Sequence, residues 1–101
     1  MINYNIDEKR IIVAILIAIM EADGIIDPHE TDFLDNIISS FEMNEDNLDS
    51  IDEFDFNEII ANFKKFDEQK KSNAISIFID MAKCDGFADP RELKIIESLG
   101  N

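Results

Sequence analysis

"ADGIIDPHE" (Ala22–Glu30) and "CDGFADPRE" (Cys84–Glu92) are one phrase written twice, 62 residues apart, with Asp, Gly, Asp, Pro and Glu in register. Each copy follows an apolar run and precedes an amphipathic one, so each reads as the turn of a helical hairpin. Gly24 and Gly86 provide the left-handed conformation that closes a helix, a conformation costly for any residue with a Cβ. Asp27 and Asp89 are N-caps, and Pro28 and Pro90 take the first helical position, where no N–H is required. Glu30 and Glu92, three residues after the caps, are capping-box partners.

Asp23 and Asp85 are not explained by turn chemistry, because a carboxylate in the last turn meets the negative pole of the helix and loses up to about 1 kcal/mol. Two compensations are open. The carboxylate can clasp N–H groups at the start of the next helix, or it can join the cap and the box glutamate in a cation site. The candidate metal ligands are therefore Asp23, Asp27 and Glu30 in one loop and Asp85, Asp89 and Glu92 in the other, for a divalent cation of the calcium type. Calcium takes about 6 to 8 oxygens, so backbone and water would have to complete either site. Gly and Glu come too early in the phrase for an EF-hand loop. A single His29 and a single Cys84, 55 residues apart, do not make a zinc site. His29 reads as a solvated side chain and Cys84 as a small residue on an apolar face.

Outward from the two turns, hydrophobic spacing predicts helices almost throughout. "NIDE" opens the first, with Asn5 as cap and Glu8 as its box partner. "IIVAILIAIM" (Ile11–Met20) leaves no polar face, so this helix should be central; ten residues are too few to span a membrane, which takes about 20. Phe33, Leu34, Ile37, Ile38 and Phe41 make one stripe of a second helix. Asn44 caps a short third with Leu48, Ile51 and Phe54 inward. Asp55, boxed with Glu58, opens a fourth carrying Phe56, Ile59, Ile60, Phe63 and Phe66. Asp67 caps a fifth whose apolar face, Ala74 to Cys84, is wide enough for a second central helix, and Arg91–Leu99 form the sixth. The 62-residue shift also superposes Leu16 on Phe78, Ile17 on Ile79, Leu34 on Ile96 and Ile37 on Leu99. The expected architecture is all-α: about six helices, two pseudo-symmetric helical hairpins around two central apolar helices. One domain covers 1–101, with an internal repeat at about 7–41 and 67–99.

The formal charge of −14 is concentrated: residues 21–58 hold 14 Asp and Glu and no Lys or Arg, while the flanking segments are each neutral. Such a surface repels nucleic acid and anionic membranes and favours cations or a basic protein partner. The lone cysteine and the lack of a basic, cleavable apolar start fit a cytoplasmic setting. No Gly-rich phosphate loop, Gly-x-Ser-x-Gly elbow or nucleophile–base pairing is readable, so no catalytic residue is assigned and a non-enzyme is expected.

The doubled Ala/Cys-Asp-Gly-x-x-Asp-Pro-x-Glu at the end of an apolar helix, in an acidic helical chain, resembles the TerB-like tellurite-resistance family. The N-terminal domain of the membrane-anchored DnaJ-like co-chaperone DjlA belongs to the same broad group. The similarity runs from the first apolar helix to Leu99. It implies a cytoplasmic bacterial helical module linked to tellurite resistance or stress response, acting through protein contacts, with divalent-cation binding or sensing as the alternative. The family's acidic motif falls on Asp23, Asp27 and Glu30 and on Asp85, Asp89 and Glu92. Neither a membrane anchor nor a J-domain is expected with it.

Overall fold

The described residues form six helices: α1 (Ile6–Glu21), α2 (Pro28–Ser40), α3 (Glu45–Leu48), α4 (Phe56–Phe63), α5 (Glu68–Lys83) and α6 (Pro90–Gly100). The computed structural model describes residues 3–22, 27–48, 55–84 and 90–100, and among these there is no strand, as an all-α fold requires. Both glycine turns and the inward residues Ile51 and Phe54 expected of the third helix lie outside the described residues.

α1 is the axis of the molecule. Its capping box is complete, the Asn5 side chain accepting from the Glu8 N–H and Glu8 from the Asn5 N–H, each at 2.8 Å. Ile12 through Leu16 are all buried, so no face of the helix meets solvent there, and each of the other five helices packs on it. α5 is covered on one stripe instead. Ala74, Phe78, Met81 and Ala82 are buried, while Ser72, Asn73, Ser76 and Asp80 keep the opposite side in solvent. Phe63, which ends α4, is fully buried against Phe66 and Phe78, with ring centroids 5.0 and 5.7 Å away. The apolar stripe of α2 is only half-buried along its whole length, and Glu30 is the buried residue of that helix.

α5 repeats α1 at the 62-residue offset. Both span 16 residues behind an N-cap, Asn5 or Asp67, and both end on a cap N–H, of Ala22 or Cys84, bonded at 3.2 Å to the carbonyl of Ile19 or Met81. α2 and α6 both begin on proline. Two contacts between the halves join counterparts. Tyr4 meets Phe66 with ring centroids 6.4 Å apart, and the Lys70 ammonium sits 3.0 Å from both carboxylate oxygens of Glu8. Position-to-same-position contact is what a pseudo-twofold relation produces at its axis.

The end of α2 turns on Glu42, whose φ of 57° is left-handed. Its N–H reaches the Ser39 carbonyl and that of Met43 the Ile38 carbonyl, the paired bonds of a Schellman closure. Lys9, from α1, donates to the Phe41 carbonyl at 2.9 Å and lies 5.8 Å from the centroid of the Phe41 ring. One cation therefore serves the negative pole of α2 and its last aromatic residue together.

Two other caps are tighter than the spacing implied. Asp27 and Asp55 bond the N–H two residues on, of His29 and Asn57, and at Asp55 this replaces the reciprocal box expected with Glu58.

Tyr4 ties the N-terminal segment to α5, donating to Asn73 Oδ1 at 2.7 Å. Burial, helped by the charges of Glu8 and Asp67, pushes its phenol up to about 12. A group whose pKa is raised on folding stabilises the fold fully below its unfolded value, about 10, and loses that contribution as pH rises through the folded one. Wild-type stability should therefore fall between about pH 10 and 12. Tyr4→Phe should flatten that limb in alkaline urea titrations and cost about 1 kcal/mol at neutral pH for the lost hydrogen bond. An unchanged alkaline limb in the variant would remove Tyr4 as its source.

Candidate functional site: an acidic surface around the helical turns

The two turns join the end of α1 to α2 and the end of α5 to α6. Of the six carboxylates proposed as metal ligands, Asp27, Glu30 and Glu92 are described; Asp23, Asp85 and Asp89 lie outside the described residues. Asp27 caps α2, its Oδ1 accepting from the His29 N–H at 2.7 Å and lying 3.1 Å from His29 Nδ1. The backbone hydrogen bond from His29 holds its carboxyl below the usual range, with further help from the His29 ring and the Glu30 N–H. His29 is exposed, as expected of a solvated ring, but the ring closes over the cap.

Glu30 and Glu92 depart from the sequence expectation. A box glutamate ordinarily stays in water, yet these are 3 % and 2 % exposed, the two buried charged residues among those described. Each stands third in its helix behind a first-position proline, where the positive pole favours an anion. A carboxylate removed from water is costly unless it is hydrogen-bonded. Burial at both matching positions therefore sets these two side chains apart from the exposed acids of the chain. Their signal in the sequence is recurrence alone, because cap chemistry accounts equally well for an exposed glutamate.

The other described acids of the run from 27 to 58 are mostly turned to solvent. Asp32 and Asp35 on α2, Glu42 and Asp46 beyond it, and Asp55 and Glu58 at the start of α4 are all exposed. A cleft of about 290 Å³ between α1 and α4 is lined by Asp7, Arg10, Ile11, Glu58, Ile59 and Asn62. Among the described residues, no group of three or more His, Cys, Asp or Glu is arranged to hold a metal ion. No helix of the described residues is long and apolar enough to cross a membrane. Comparison with family models, curated proteins and solved structures returns no match for this chain.

Proposed function

We propose that the chain is a non-catalytic acidic binding module of the TerB-like kind, engaging a protein partner that presents a basic surface. The observation that carries this reading is the run from 21 to 58, with 14 acids and no Lys or Arg, whose described acids are mostly exposed. Opposed charge of this density steers a basic partner and penalises an acidic one. The link to tellurite resistance or stress response, and a cytoplasmic setting, rest on the resemblance of the doubled phrase. A second reading, divalent-cation binding at the two turns, is favoured by the matching burial of Glu30 and Glu92.

The test is capture from lysate at two ionic strengths, with wild type and with Asp32→Lys, Asp35→Lys and Glu42→Lys combined. The screening length falls from about 10 Å at 0.1 M salt to about 3 Å at 1 M. Basic proteins should be retained by wild type at low salt and lost at high salt, and the triple variant should lose them at both. Retention that ignores both salt and the substitutions would overturn the reading.

A further inference from the structure

We infer that the cleft between α1 and α4 holds an arginine side chain of the partner protein; the inference rests on the acidic-surface reading for that partner's charge and adds the place of its anchor. The cleft, of about 290 Å³, draws its lining from both helices. Ile11, half-buried, and Ile59, buried, make part of that lining apolar. Asp7, in the first turn of α1, and Glu58, in the first turn of α4, add two exposed carboxylates. Neither makes an ion pair or a hydrogen bond among the described residues. Glu58 is not drawn into the cap of α4, which Asp55 makes with the Asn57 N–H at 2.9 Å. Arg10 is the cation of the lining; it is half-buried, its Nε is out of contact with water, and it is engaged within the fold. One guanidinium against two carboxylates leaves the lining with an excess of negative charge.

These features select the occupant. The isoleucines suit a methylene stem, the carboxylates on separate helices suit a forked cation, and Asn62 adds an amide oxygen as a further acceptor. An arginine meets all three demands, its stem along Ile11 and Ile59 and its N–H groups donating to Asp7, Glu58 and Asn62 Oδ1. A lysine ammonium is compact and more strongly hydrated, so it serves two separate carboxylates less well. Ile6, the exposed large apolar residue among those described, stands one turn before Arg10 on the same face of α1. It offers contact to an apolar neighbour of the arginine. Asp7 lies outside the acid-rich run and Glu58 is its last residue, so the cleft can be tested apart from Asp32, Asp35 and Glu42.

The test is titration of the full chain with N-acetyl-arginine N-methylamide at about 0.15 M salt, followed by amide chemical shifts. The lysine and citrulline analogues are the controls, citrulline keeping the shape of arginine without its charge. Saturable shifts are expected at Asp7, Ile11, Glu58 and Asn62. Glu58→Gln and Asp7→Asn should each weaken binding about two- to fivefold, and both control probes should bind less tightly than the arginine probe. Asp32→Lys, Asp35→Lys and Glu42→Lys combined should leave the shifts saturable at the same amides, a result that supports the cleft whether or not basic proteins are captured from lysate. Shifts centred on Asp32, Asp35 and Glu42, following their substitution and not that of Glu58, would overturn the cleft and leave the acidic surface standing. Absence of saturable shifts at the cleft amides, or equal binding by the three probes, would overturn it as well.

Discussion

Phe63→Ala is expected to lower the stability of the fold by about 3 to 5 kcal/mol, a large share of the about 5 to 15 kcal/mol available to a domain of this kind. The side chain is fully buried and its ring is the meeting point of α4 and α5, packed against Phe66 and Phe78. Removing it loses the transfer energy of the ring and leaves a cavity that α1, hemmed in on all sides, is poorly placed to refill. Phe33→Ala, at a half-buried position on α2, should cost distinctly less. Urea unfolding of both variants measures the difference, with an unchanged slope confirming that only stability has moved. A loss below about 1 kcal/mol for Phe63→Ala would mean that α4 is not closed on the core.

Glu30→Gln and Glu92→Gln are the second large effect. Glutamine keeps the size and one acceptor oxygen but removes the charge, so what is lost is the charge-assisted part of the bonds that hold a buried carboxylate. Each change should cost about 1 to 3 kcal/mol, whereas Glu58→Gln, exposed on α4, should stay within about 0.5 kcal/mol. Repeating the unfolding in chelator and in calcium separates the two readings of the doubled phrase. Equal losses in both media identify the glutamates as structural anchors. Variants that match wild type in chelator and fall below it only with calcium identify them as ligands, since a cation stabilises whatever binds it. The double variant adds a distance criterion: additivity is expected if the turns lie more than about 7 to 10 Å apart, and strong coupling would join them in one site.

Local chemistry made most of the fold legible. Asn5, Asp27, Asp55 and Asp67 cap the helices they were expected to open, because capping depends on a few adjacent residues and little else. The run from Ile11 to Met20 announced an enclosed helix, because a helix without a polar face has only one place to go. What depends on distant partners was not readable. The burial of Glu30 and Glu92 is set by what packs over the first turns, which residue type and spacing do not report. Likewise the reach of the Lys9 ammonium to the Phe41 carbonyl joins two helices, which neither helix's own spacing reports. The half-buried stripe of α2 shares this origin: periodicity fixes which face turns inward but not how deeply it sinks.

The ion pair of Glu8 with Lys70 also bears on which halves can associate. These residues hold the same position in the two repeats, so two first halves brought together would set glutamate against glutamate, and two second halves lysine against lysine. Only unlike halves bring attraction to that point, where the partners are 14 % and 26 % exposed and a repelling pair could not be fully relieved by solvent. A chain that opened between its halves could therefore reclose on its own complement or exchange with the complement of a neighbour. Zipping like to like would be disfavoured at that point.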